Sequence, residues 1–204
     1  LIRVGAYLEF AKSRLSPVIA GFLRDHPDVQ AKLIFDSPSR LQDLVEADSL
    51  DLCFSVFPSR GSKSIVSRPV MKQELVLAAP KGLLPEAPTY EQIMGAPMIE
   101  YYLNHQPVRR WIALHYRRKP KDIPVRAYAS TSEMALALIA EGAGVGIVPL
   151  YLLAGRGRRR KAEIRVIRPT KAKLIDHIWL LEKTARAQTP AHAAFRARVD
   201  QHFK

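Results

Sequence analysis

The sequence predicts an α/β fold made of two successive βα series, each winding a parallel sheet of its own. Three observations predict it. Short apolar runs alternate along the chain with apolar residues spaced at three and four, so strands alternate with helices. The run Leu50 to Phe57 is almost continuously apolar, as a parallel strand covered by helices on both faces requires. The pattern then breaks at Pro80, and a second strand and helix alternation starts. A chain of 204 residues suffices for one ordinary domain or for two small lobes that share their connections.

Ile2 to Ala6 reads as the first strand. Leu15, Val18, Ile19, Phe22 and Leu23 then form one face of a helix that Ser16-Pro17 starts, because a proline at the first helical position gives up only an N–H without a partner. His26-Pro27 ends it. Val29 to Phe35 is the second strand, and Ser37-Pro38 repeats the start signal ahead of Leu41, Leu44 and Val45. After the third strand, Leu50 to Phe57, residues Pro58 to Ser67 read as a loop, and Glu74 to Ala79 as a strand closed by Pro80.

In the second series, Thr89 with Gln92 makes a capping box for a single helical turn. Pro97 to Tyr102 is a strand, and Val108, Trp111, Ile112 and His115 are a helical stripe. Val125 to Ala129 leads to Ser130 and Glu133, a capping box over Met134, Ala137, Leu138 and Glu141, with Gly142 as the left-handed cap. Gly146 to Val148 is a short strand into Pro149, followed by a short helix over Leu150 to Ala154 and a basic loop over Arg156 to Lys161. Ile164 to Ile167 and Ile175 to Leu181 are the last strands, and Thr189-Pro190 caps a helix with Phe195, Val199 and Phe203. Right-handed crossovers limit how each series can be wound.

Charge is the unusual bulk property. The formal net charge is +13; residues 1–104 carry 11 basic and 12 acidic side chains, whereas residues 105–174 carry 16 basic and 4 acidic. Such a field attracts anions, or it is simply a solvated surface. Cys53, the one cysteine, cannot form an internal disulfide and sits in an apolar strand, which suits a buried thiol in a reduced cytoplasm. Neither a signal peptide nor a membrane-spanning run is visible. The chain opens on Leu1, so it reads as a fragment or processed product that a further N-terminal module would precede.

Enzyme chemistry finds no foothold. Gly142, Gly144 and Gly146 stand between a helix and a strand, whereas a dinucleotide loop needs strand, glycines, helix, so they read as a tight connection. Cys53 lies mid-strand, away from any nucleophile and base pairing. The histidines form no metal-binding spacing and read as scattered surface residues, so neither a metal nor a cofactor is expected. The basic run Arg156 to Lys161, with Arg117, Arg118, Lys119 and Lys121, suits DNA backbone, an acidic partner or solvent, and no helix-turn-helix lies within the chain. What remains is ligand binding beyond the carboxyl ends of strands, where helix N-termini present unpaired N–H groups. Those places hold Tyr7, Leu8 and Glu9, Ser37 to Ser39, Ser55, Tyr101 to Asn104, and Ser130 with Thr131. Each serine reads equally as a helix cap; their placement at successive strand ends is the argument for a site.

Taken in order, these segments resemble the effector-binding domain of LysR-type transcription regulators over essentially the whole chain. The likeness rests on His26-Pro27-Asp28-Val29 after the first helix, on Leu50-Asp51-Leu52 after the short helix from Leu41, and most specifically on Leu136 to Pro149, reading LALIAEGAGVGIVP. The resemblance implies two Rossmann-like lobes of the periplasmic-binding-protein-like (type II) fold joined by two crossing strands, the first lobe from residues 1–76 plus 175–204 and the second from 77–174. It implies a small-molecule effector between the lobes, a homodimer or homotetramer, and DNA contacts made by a winged helix-turn-helix absent from this chain. Effector contacts would fall at Tyr7, Leu8, Glu9, Ser37, Ser39, Ser55, Tyr101, Asn104, Ser130 and Thr131. The positive charge suits an anionic effector, while Glu9 speaks against a simple carboxylate. A transporter's solute-binding protein with the same two-lobed fold is the alternative, and upstream sequence separates the two.

Overall fold

Strand β1 (Ile2–Ala6) passes through Tyr7 straight into helix α1. The computed structural model describes residues 1–101, 106–154, 163–184 and 189–203. Helix α1 runs through Leu8–Phe10, a π-helical turn at Ala11–Leu15, and Ser16–Asp25. The expected start at Ser16-Pro17 is therefore corrected, because that pair lies inside the helix. The π turn accommodates it: Pro17 has no N–H to offer, and the Ser16 hydroxyl reaches the carbonyls of Ala11 (2.6 Å) and Lys12 (3.2 Å) instead.

β1 pairs in parallel with both β2 (Ala31–Phe35) and β3 (Leu52–Ser55), so that Ala6 lies opposite Phe35 on one side and Phe54 on the other. Helix α2 (Pro38–Glu46) connects them and starts as expected, with the Ser37 hydroxyl accepting the Arg40 N–H at 3.4 Å. Strand β4 (Ile65–Pro80) is longer than predicted and takes in the end of the expected loop. Its first half mixes polar residues with Pro69 and offers no apolar run to mark it.

The remaining elements are α3 (Tyr90–Gly95), β5 (Met98–Glu100), α4 (Gln106–Tyr116), β6 (Val125–Tyr128), α5 (Ser132–Ala140), β7 (Gly146–Pro149), α6 (Leu150–Ala154), β8 (Ile164–Ile167), β9 (Leu174–Lys183) and α7 (Pro190–His202). Both bonds of the Thr89 and Gln92 capping box form at α3, and the Thr189 hydroxyl accepts the His192 N–H at α7. Helix α5 corrects its prediction by one position. Its cap is Thr131, whose hydroxyl accepts the Met134 N–H at 3.1 Å, and its buried face is Ser132, Ala135, Leu136 and Ile139 while Met134 is half exposed. Nearly every residue of that helix is apolar, so the sequence pattern does not select the phase.

Hydrogen-bonded neighbours run β2-β1-β3-β9-β4-β7, with β8 on β4 and β5 on β6 as a separate pair. Two separate all-parallel sheets are therefore not what forms. β3 with β9, β4 with β7 and β4 with β8 are antiparallel, while parallel pairing survives in β2-β1-β3, in β5-β6 and in a bridge from Met98 to Val145. The residues nonetheless divide into two compact units, Leu1–Lys72 with Asp176–Lys204 and Gln73–Ile175, and the chain crosses between them inside β4 and inside β9. The first unit buries Val4, Phe10, Leu15, Phe22, Phe54, Leu180 and Phe195 together, with Cys53 in a smaller cluster beside Leu41 and Leu50. Burial pushes the Cys53 thiol up to about 12, so it stays protonated and inert at neutral pH. The second unit is built around Leu77, Ile93, Met98, Trp111, Ile112, Ile147 and Ile167.

Two histidines expected at the surface are buried. His192 lies 3.6 Å from the Glu182 carboxylate, and His115 stacks on Trp111 with 4.4 Å between ring centres while its Nδ1 lies 2.8 Å from the Thr170 hydroxyl. Burial lowers the pKa of His115 below its ordinary 6.5. In the unfolded chain the ring takes up a proton at a higher pH than in the folded one, so stability falls as pH drops through 6.5 toward the folded pKa. Melting temperature measured from pH 7.5 downward should show this loss, and His115→Asn should flatten it; an unchanged slope would place the titration elsewhere.

Candidate functional site

In the first unit the parallel strands β1, β2 and β3 end on one edge of their sheet, and the predicted residues follow directly. Tyr7 is the N-cap position of α1 and stacks on Phe10 at 5.6 Å between ring centres; Leu8 is exposed, and Glu9 is buried, 6% exposed, in the first helical turn. After β2, the Ser37 N–H donates to the Asp36 carboxylate at 2.7 Å, and the hydroxyls of Ser37 and Ser39 lie 3.4 Å apart, both exposed. Ser55 closes β3, is buried, and accepts the Phe57 N–H at 3.1 Å. The register of Ala6 opposite Phe35 and Phe54 is what brings these three turns to the same edge.

The second unit repeats the arrangement on a smaller sheet. Glu100 at the end of β5 lies opposite Tyr128 at the end of β6, and the Ala129 N–H donates to the Glu100 carbonyl at 2.7 Å. Tyr101 follows the first strand, and Ser130 with Thr131 follows the second. Ser130 is exposed and free of the capping role predicted for it, because Thr131 holds that role. Asn104 lies outside the described residues, as does the basic run 156–161.

A small recess of about 10 Å³ lies beside these strand ends, lined by Ile99, Glu100, Tyr101, Pro107, Val108 and Ile147. The Glu100 side chain is 3% exposed, and Ser132 is buried in the first turn of α5. Sequence reasoning passed over both. A charged residue terminating the apolar stretch Met98-Ile99 was the available signal for Glu100, since a carboxylate is seldom buried without a partner. No group of three or more His, Cys, Asp or Glu side chains able to hold a metal occurs among the described residues. Strand-end N–H groups, hydroxyls and a buried carboxylate equip such a site to orient a small polar molecule.

A family model described as the LysR substrate binding domain matches residues 1–204. The HTH-type transcriptional regulator IlvY of Escherichia coli (strain K12) is 23% identical over 200 residues, which cover 94% of this chain and 66% of IlvY. The chain thus spans about two thirds of that relative's length. The cofactor-binding domain of the Cbl transcriptional regulator superposes with a TM-score of 0.82 at 19% identity, over 100% of this chain and 89% of that one. The regulatory domain of Synechocystis PCC6803 CcmR in complex with 2-PG gives a TM-score of 0.81 at 15% identity, over 100% and 97%.

Proposed function

The chain belongs to the LysR substrate binding domain family, and from that premise we propose that it is the ligand-sensing part of a longer transcription regulator, whose DNA-reading module lies outside these residues. The observation that carries the reading is the gathering of polar, hydroxyl-bearing turns at the carboxyl ends of parallel strands in each unit. Open α/β sheets bind ligands there. The two units correspond to the two lobes of the periplasmic-binding-protein-like fold. A relative named as a transcriptional regulator supports this reading over a transporter's solute-binding protein.

In this proposal the candidate effector contacts are Tyr7, Leu8, Glu9, Ser37, Ser39 and Ser55 in the first unit and Tyr101, Asn104, Ser130 and Thr131 in the second. The CcmR complex with 2-PG supports a small-molecule ligand, and the excess of basic residues supports an anionic one. Binding shifts the regulator between arrangements in proportion to the difference in affinity for them. The cytoplasm is the proposed location; among the described residues no helix is long and apolar enough to cross a membrane.

The proposal includes self-association as a homodimer or homotetramer. β2 and β6 each have one hydrogen-bonded neighbour, and they leave Leu33, Phe35 and Tyr128 exposed, with Met134 exposed on α5. Exposed apolar side chains along two sheet edges are what an isologous pair would cover.

The test is thermal melting against a panel of small metabolites, because a ligand that binds only the native state raises the melting temperature. With a hit in hand, Ser130→Ala should leave the ligand-free melting temperature in place and weaken binding about three- to tenfold, the effect of one lost hydrogen bond. Thr131→Val should in addition cost about 1 kcal/mol of stability through the lost cap. Unchanged affinity in folded Ser130→Ala would remove that residue from the site.

A further inference from the structure

We propose that the basic surface at the C-terminal end of α4 docks the phosphodiester backbone of duplex DNA without reading its sequence. Residues 106–126 carry seven arginines and lysines against one acid, Asp122. Five of those cations fall into two groups. Arg109 and Arg118 build the surface: the Arg109 guanidinium donates to the Pro120 carbonyl and, at 2.9 Å, to the Lys121 carbonyl, which folds the following loop back onto the helix. Arg118 lies 4.7 Å over the Tyr90 ring and 3.7 Å from Glu91. Buried Pro120 and the Tyr116 hydroxyl, which donates to the Pro88 carbonyl at 2.7 Å, anchor the same loop from below.

Arg117, Lys119 and Lys121 are what this pinned loop presents. All three are exposed and make no ion pair among the described residues. Arg117 also occupies the left-handed position that ends α4, with φ +55°, where glycine would be easier for the backbone. A cation is held there in spite of that preference.

Charge complementarity selects the partner. An interface with an acidic protein is centred on apolar side chains, and the large apolar side chain left exposed on α4 is Leu114. Single-stranded nucleic acid needs open aromatic faces, and Arg118 covers the Tyr90 ring. Closely spaced, loop-mounted cations match the phosphates of a duplex. The inference rests on the reading of the chain as part of a regulator, which brings duplex DNA within reach.

The test is anisotropy of a labelled duplex of arbitrary sequence, titrated with the chain across a salt series. Replacing Arg117, Lys119 and Lys121 by Gln together should flatten the plot of log affinity against log salt by about 3, at roughly 0.9 per lost phosphate contact. The control Arg24→Gln/Lys32→Gln/Lys63→Gln removes equal charge from the first unit and should flatten it far less. Equal losses from both variants would reduce the effect to bulk charge and overturn the proposal, as would absence of salt-dependent duplex binding. Polyglutamate bound as tightly as duplex would assign the surface to acidic proteins and overturn it too. If the triple variant melts early, Lys119→Gln alone should flatten the plot by about 1. Metabolite-induced melting shifts use none of these variants, so failure of DNA docking and failure of effector sensing are separable.

Discussion

Trp111→Ala should lower the free energy of unfolding by about 3–5 kcal/mol, the range for deleting a large buried aromatic. Trp111 is among the largest fully buried side chains and belongs to the cluster that includes Leu77, Ile93, Met98, Ile112 and Ile147. Its ring also supports His115 at 4.4 Å and faces Tyr116 at 6.1 Å between centres. Truncation therefore opens a cavity in the core of the second unit and removes a ring contact from His115 and from Tyr116. Urea titration followed by circular dichroism reads the loss. Trp179, the other tryptophan, lies in the first unit and remains as a fluorescent reporter there. A loss below about 1 kcal/mol would mean that the surroundings collapse onto the gap, contrary to the spread measured for buried aromatics.

Gly146→Val should cost about 1–3 kcal/mol, toward the upper end, because the obstacle is main chain. A Cβ at Gly146 would collide with the carbonyl oxygen of Ile99, and one at Gly144 with that of Pro97. Both obstacles are main-chain atoms, and the strand contact around them is hydrogen-bonded. The Val145 N–H donates to the Pro97 carbonyl at 2.9 Å and the Ile99 N–H to the Val145 carbonyl at 2.7 Å, so the same contact joins β5 to the start of β7. Gly95→Ala is the matched control: nothing lies within 4 Å of its added methyl, and removing a glycine from the unfolded ensemble stabilises by up to about 1 kcal/mol. Denaturation midpoints that fall together for both substitutions would contradict the close approach.

Legibility followed the range of the interactions. Ser37 and Thr189 cap their helices as the proline after each implies, and Thr89 as Gln92 implies, because a cap is a bond within one turn. Gly142 takes φ +86° at the end of α5 for the same local reason. The start of α1 was misplaced because Ser16-Pro17 carries a genuine local start signal that a π turn overrides from inside the helix. His115 and His192 looked like surface residues because a histidine is buried or exposed according to what packs on it, here Trp111 and Glu182.

The candidate site divides along the same line. Hydroxyls after strands can be read from spacing alone, but whether each is free cannot: Ser55 and Thr131 spend an acceptor on local N–H groups, and Ser130 does not cap. The amino-acid sequence by itself determined the alternation of strands and helices, the family, the caps at Ser37, Thr89 and Thr189 and the glycine-rich turn, since periodicity and backbone preference act over a few residues. Only the tertiary structure decided which strands pair, that β9 runs antiparallel to β3 and β4 to β7 and β8, and that Glu100 is enclosed at a strand end. Strand pairing and burial are settled between residues tens of positions apart, where no local preference reaches.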